Sequence, residues 1–133
     1  MKYFMGFILT SALLLASDTI NKGNLQWQDN AEAKTTTLNW QDAIAYCTEF
    51  SLAGHNDWRL PNIKELQSIV DINRYNPPIK KGFNYVATSD YYWSSSQVVS
   101  DAKNAWVVYF KYGHTLHYST SNEGYVRCVR HGQ

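Results

Sequence analysis

Apolar and polar positions change rhythm several times along the chain. Residues Tyr3 to Ala16 form an apolar run broken only by Gly6, Thr10 and Ser11, with Lys2 before it and Ser17 and Asp18 after it. A cation, a short apolar stretch and small residues, in that order, read as a secretory signal peptide over residues 1–17, cleaved after Ala16 or Ser17. The run is short of the ~20 residues of a membrane span and no stop-transfer cluster follows, so no span is expected after cleavage. No Cys follows the run, which argues against a lipoprotein. The remainder, 18–133, then makes a single domain.

Leu25-Gln26-Trp27-Gln28 alternates apolar with polar between Gly23 and Asp29-Asn30, a short strand, and Ala31 to Thr37 is a polar connection. Asn39 is a candidate N-cap, and Trp40, Ala43, Ile44, Cys47 and Phe50 follow at helical spacing, predicting a helix from about Trp40 to Leu52 stopped by Gly54. Pro61 forces Leu60 toward extended backbone. Asn62 with Glu65 three residues on resembles a capping box, and Ile63, Leu66, Ile69 and Val70 form one stripe of a second helix ending near Asp71 to Asn73. Periodicity then disappears from Arg74 to Ser89, where Asn76-Pro77-Pro78 and Gly82 enforce turns in a long structured loop. Strands are expected at Tyr91–Ser95, at Ala105–Phe110 and at Thr115–Tyr118, the last two joined by a turn at Lys111–His114. Val98 to Asn104 is a polar bridge and Gly124–Val129 the last strand. Helices early and hairpins late argue for an α+β domain on a twisted antiparallel sheet.

The 133 residues are 44% hydrophobic and 17% charged, enough to bury one core and too apolar for a disordered tail. Twenty aromatics, ten of them Tyr, exclude a coiled coil. Twelve cationic and eleven acidic side chains, with no basic cluster longer than Lys80-Lys81, exclude an electrostatic footprint for nucleic acid. Without Lys2 the domain is formally neutral, so any attraction to a charged ligand must be local. Cys47 and Cys128 are an even pair in a chain read as exported, where a disulfide persists; two free buried thiols are the alternative. A bridge across 81 residues is worth roughly 4–5 kcal/mol in the chain-entropy picture.

Several segments together resemble a known family. Leu25-Gln26-Trp27-Gln28-Asp29, Trp40-x-x-Ala43-x-x-Tyr46-Cys47 and Asp57-Trp58-Arg59-Leu60-Pro61-Asn62-x-x-Glu65-Leu66 are similar to the opening of the Lcl C-terminal domain family, also called DUF1566. Asn76-Pro77-Pro78-Ile79, Tyr92-Trp93-Ser94-Ser95-Ser96, Ala105-Trp106-x-Val108-x-Phe110-x-x-Gly113 and Tyr125-Val126-Arg127-Cys128-Val129-Arg130 resemble its later motifs, in the same order. The resemblance covers about residues 24 to 130. It implies a C-type lectin-like fold with two helices, short twisted antiparallel sheets and long loops, related to the formylglycine-generating enzymes. It also implies a bridge between Cys47 and Cys128, and packing roles for Trp58, Arg59, Leu60, Pro61, Trp93 and Trp106. The family takes its name from the end domain of a bacterial collagen-like surface adhesin, whose collagenous repeats this chain lacks.

The candidate chemistry is sparse. His114 and His117, three apart on a strand, point to opposite faces and lack a nearby third ligand for zinc. Asp71, Asn73, Asn76, Asp90 and Asp101 are oxygen donors of the kind a structural calcium takes, but helix-end and turn chemistry accounts for them, and the triplets with which calcium-dependent lectins hold sugar are absent. No cofactor is expected. Asp57, Arg59 and Glu65 read as capping and a buried hydrogen-bonded Arg rather than an acid-base group. A bridged cysteine pair leaves no thiolate for formylglycine-type catalysis. The crowding of Tyr85, Tyr91, Tyr92, Tyr109, Tyr112, His114, His117 and Tyr118 remains, and Tyr75, Lys80, Lys81, Tyr85, Tyr112 and His114 are the candidate ligand contacts. Rings beside cationic tips suit an acidic or sulfated sugar. The expectation is a non-catalytic periplasmic or extracellular module that binds a glycan or an exported or surface protein. Its alternatives are a formylglycine-generating-type enzyme and a small structural subunit.

Overall fold

The computed structural model describes residues 18–132. The expected signal peptide lies outside the described residues. The domain is α+β, with three short helices and two sheets. Strands β1 (Thr19–Lys22), β2 (Leu25–Gln28) and β8 (Val129–His131) make a three-stranded antiparallel sheet in the order β1-β2-β8. Strands β3 (Thr37–Leu38), β4 (Tyr92–Val98), β5 (Asp101–Tyr109), β6 (His114–Ser119) and β7 (Gly124–Tyr125) make a five-stranded sheet in the order β3-β7-β4-β5-β6.

The centre of the five-stranded sheet is buried on both faces. Trp93, Ala105 and Val107 pack with Trp40, Ala43 and Cys47 of helix α2 (Trp40–Thr48), and with Trp58 and Leu60. Tyr92, Val108 and Phe110 on the other side pack with Leu66 of helix α3 (Ile63–Ser68), and with Ile69, Trp27 and Val129. Alternation along β5 therefore feeds two apolar layers. The Cys47–Cys128 disulfide ties α2 to the segment entering β8. Indole N–H groups fix the layers: Trp40 donates to Ser94 O at 2.9 Å and Trp93 to Leu38 O at 2.8 Å.

Several boundaries differ from the sequence reading. The polar connection holds a single-turn helix, α1 (Glu32–Thr35), which buries Ala33, and then β3. Asn39 caps α2 by accepting from Asp42 N, but α2 ends at Thr48, not Leu52. Leu52 and His55 bridge each other across Ala53 and Gly54, both at positive φ, and the Trp58 indole takes both carbonyls, so these residues serve a tight turn instead of a last helical turn. The capping box at Asn62 and Glu65 is present. Helix α3 nonetheless stops at Ser68, because Val70 bridges Ile79 and Ile69 O accepts from Lys80 N. The bridge expected at Val98–Asn104 is a two-residue turn with Val98 opposite Asp101. The last strand divides into β7 and β8 in different sheets, since Val126 to Cys128 cross between them through the disulfide.

Candidate functional site

The crossing segment also carries the domain's buried charge. Arg127 is 1% exposed and Asp29 is 2% exposed. The guanidinium donates to Gln28 O at 2.5 Å, to Asp29 Oδ1 at 3.3 Å and to Tyr85 O, and lies over the Phe83 and Tyr92 rings. Asp29 accepts in turn from Asn84 N and Tyr85 N. Ala87 N donates to the Tyr92 hydroxyl, which donates to Ala33 O. Half of the long loop is thus pinned to β2 and β4 from below, a device that alternation and spacing do not reveal.

The other half closes on itself. Residues 69–71 bond to 78–80, so 72–77 is an exposed excursion containing Tyr75, 85% exposed, and a cis Asn76–Pro77 peptide. The β5–β6 turn packs beside it: a Cβ added to Gly113, at φ +81°, would meet Val70 Cγ1 at 3.1 Å and Pro78 Cγ at 3.6 Å. Loop and turn, separated in sequence, are neighbours.

From this turn an aromatic patch extends along the face of β5 and β6 that looks toward α2. Tyr112 contacts His114 and Tyr109; Tyr109 contacts Tyr91; Tyr91 contacts Tyr118; and Tyr118 contacts the buried Trp93, with centroid separations of 4.6–5.6 Å. The three tyrosine–tyrosine contacts are edge-to-face and the other two tilted, and ring pairs of this kind hold one another in place. Tyr91, Tyr109 and Tyr118 are half-buried, and Tyr112 is 56% exposed. The ends carry opposite charge. Lys111 Nζ sits 5.5 Å from the Tyr112 centroid, whereas the Tyr118 hydroxyl donates to Asp90 Oδ1 at 3.4 Å. Burial first, and the Asp90 charge second, push the Tyr118 hydroxyl pKa above its ordinary value.

The structure thereby divides the six expected ligand contacts. Tyr112 and His114 belong to the patch, and Tyr75 rises from the neighbouring excursion. Lys80 is exposed, with its N–H bonded to Ile69 O. Lys81 lies at β1, where its carbonyl accepts from Lys22 Nζ, and Tyr85 is half-buried with both backbone groups engaged by Asp29 and Arg127. Tyr91, Tyr109 and Tyr118, noted only as crowding, are the centre of the patch. The residue alternation of β5 and the run Tyr91-Tyr92 were the available signals.

The remaining candidates resolve into structural contacts. Asp57 pairs with Arg130 at 2.6 Å, and Arg59 makes a two-pronged pair with Glu65 at 2.7 and 2.8 Å. The Arg59 guanidinium holds the Glu65 carboxyl below the usual range, and Arg130 does the same for Asp57. Arg59 is not the buried arginine expected: its side chain is 37% exposed, and Arg127 takes that place. Trp58, Leu60, Pro61 and Trp93 are buried. Trp106 is only half-buried, since it faces away from Trp93 and is covered by the His117 ring of the edge strand at 4.2 Å. His114 is opposite Tyr109 and His117 opposite Trp106, on opposite faces. Asp71 accepts from Asn73 N, Asp101 from Lys103 N and Asp90 from Tyr91 N, each a local turn contact. No group of three or more metal-ligating side chains gathers among the described residues, and no helix there is long and apolar enough to cross a membrane.

Comparison with curated proteins returns no match. The profile of one family, the Lcl C-terminal domain, matches residues 18–130, which spans both sheets, the disulfide and the aromatic patch. The chain belongs to the Lcl C-terminal domain family.

Proposed function

We propose that the domain is a non-catalytic recognition module, exported to the periplasm or cell exterior, whose contact surface is the ring patch of Tyr91, Tyr109, Tyr112, His114 and Tyr118. The observation that supports this reading is the contiguity of five rings on a rigid sheet, with hydroxyls and an imidazole at their tips and a cation at one end. Apolar ring faces with polar tips recognise glycans and protein chains alike by stacking and hydrogen bonding. Both cysteines of the chain are consumed in the disulfide, which supports a reading without thiolate chemistry over a formylglycine-generating type. A leader of secretory pattern and a long-range disulfide support export.

Binding to a glycan array and to immobilised exported proteins, with and without a chelator, tests the ligand class. Tyr112→Ala with His114→Ala should weaken whatever binding is found and lower the melting temperature by no more than a few degrees, since both side chains are exposed. Charge-assisted contacts at this surface should also weaken as ionic strength rises. Unaltered affinity in the double variant removes the patch as the site.

A further inference from the structure

Five strands make the larger sheet, and one of its edges is bare. Strand β6 pairs with β5 in unbroken register from His114 opposite Tyr109 to Ser119 opposite Asn104. One step further, Thr120 N donates to Lys103 O at 2.9 Å, which marks that opposed pair as hydrogen-bonded. Hydrogen-bonded and non-bonded pairs alternate in an antiparallel ladder. His114, Leu116 and Tyr118 therefore turn their backbone groups toward β5, while Thr115, His117 and Ser119 turn theirs outward. Of these outward groups only Ser119 O has a partner among the described residues, from Asn122 N.

The other edges are guarded in familiar ways. Strand β3 has two residues. Strand β8 is covered by Arg59, which exchanges both backbone bonds with Val129. Strand β1 carries Lys22, folded over Lys81. Strand β6 has six residues, no Pro, no Lys and no bulge.

We propose that the β6 edge takes up an extended protein segment as a sixth strand, which rests on the recognition reading above and names its ligand class. The side chains of the segment that stand opposite Leu116, Tyr118 and His114 fall on the ring-patch face, and those opposite Thr115, His117 and Ser119 on the polar one. The chemistry that fits is alternation of aromatic or apolar residues with Ser or Thr. In antiparallel pairing the C-terminal end of the segment reaches His114 and Lys111, so an acidic residue belongs there. A second copy of this chain is the poorer occupant: two such edges meet along about 20 Å, a contact too narrow for the ~1,200 Å² of a specific dimer.

The test uses domain 18–133 and an end-capped nine-residue peptide alternating Tyr with Thr, with Glu as its penultimate residue. Amide exchange and chemical shifts are followed residue by residue. Slowing of Thr115, His117 and Ser119 exchange by about tenfold or more, with Leu116 and Tyr118 changing little, is expected. N-methylation of the peptide at alternate residues should abolish binding in one phase and spare it in the other. His117→Pro removes one outward N–H without breaking the β5 ladder and should abolish protection, whereas His117→Ala should retain it. No protection at millimolar peptide, or N-methylation without a phase, overturns strand addition. If a glycan or the peptide binds and Tyr112→Ala with His114→Ala weakens it, but His117→Pro does not, the patch reading stands and the strand fails. Protection that depends on protein concentration without peptide replaces the segment with a second copy.

Discussion

Replacing Arg127 by Met removes every donor of the guanidinium while keeping much of its length. The Asp29 carboxylate then stays 2% exposed with only the Asn84 and Tyr85 amides for company, and the Gln28 and Tyr85 carbonyls lose their partner. Breaking a buried pair from one side costs about 3–5 kcal/mol, because the abandoned charge cannot return to water. Unfolding entropy of about 2.1 cal/mol/K per residue gives ~0.24 kcal/mol/K for residues 18–132, so the melting temperature should fall by about 12–20 °C. Circular dichroism on melting provides the assay. Asp29→Asn in the same background neutralises the stranded charge and should recover about 1–2 kcal/mol, a coupling that a merely steric role of Arg127 does not produce. Exchange of the Asn84 and Tyr85 amides should accelerate beyond the global loss, since the loop is pinned there. A fall of less than about 4 °C, or no recovery with Asp29→Asn, would refute the ionic account.

Cys47→Ala with Cys128→Ala should cost roughly 4–5 kcal/mol through the 81-residue loop it frees, and non-reducing peptide mapping that finds both thiols free removes the premise. Arg59→Ala should cost only about 1 kcal/mol by chemical denaturation, since the guanidinium is partly in water. The lowered Glu65 carboxyl contributes stability that is fully present above the unfolded value near 4.5 and is lost as pH falls through the folded value. Denaturation midpoints of wild type and Glu65→Gln should therefore converge under acid, and parallel curves contradict the assignment. A Cβ at Gly124 would stand 2.9 Å from Trp93 Nε1 and 3.1 Å from Tyr91 O, so Gly124→Ala should cost about 1–3 kcal/mol and disturb β7, read by melting.

What could be read beforehand followed from local chemistry. The Asn39 cap, the Asn62 and Glu65 capping box, and strand β2 follow from neighbours within four residues, and each lies where its signal puts it; the alternation at Ala105–Tyr109 falls within β5, which begins four residues earlier, at Asp101. Three of the misread boundaries share one cause. Leu52, Val70 and Val98 sit where the chain exchanges backbone bonds with a partner three to nine residues on, and such closures outcompete a further helical turn or extend a strand into a hairpin. Short β-bridges carry no periodicity of their own, so alternation over four or five residues cannot announce them.

The site divides along the same line. Tyr112 and His114 were legible because a turn with two polar-tipped rings has no packing reason to carry them. The interior charge was not, because Asp29 reads as a turn residue after β2 and Arg127 as one cation in a strand, 98 residues away. Only the crossing of Val126–Cys128 between two sheets brings them together, and that crossing is fixed by the disulfide. Burying Arg127 brings together five separate acceptor and ring contacts, from Gln28, Asp29, Phe83, Tyr85 and Tyr92, at once. Such a group stabilises one arrangement of the loop against all others, since any displacement of Asn84 or Tyr85 leaves a buried charge short of partners. The 83–87 stretch is therefore anchored to the core, with Ala87 buried in it. The ring patch is held from beneath as well, through Tyr118 on Trp93 and Trp93 on Leu38, so its outer rings need no further support from a ligand. On the recognition reading proposed above, a surface held this rigidly would meet a partner without an ordering cost of its own, and that saving is what a small domain contacting its ligand through a few stacked rings would need.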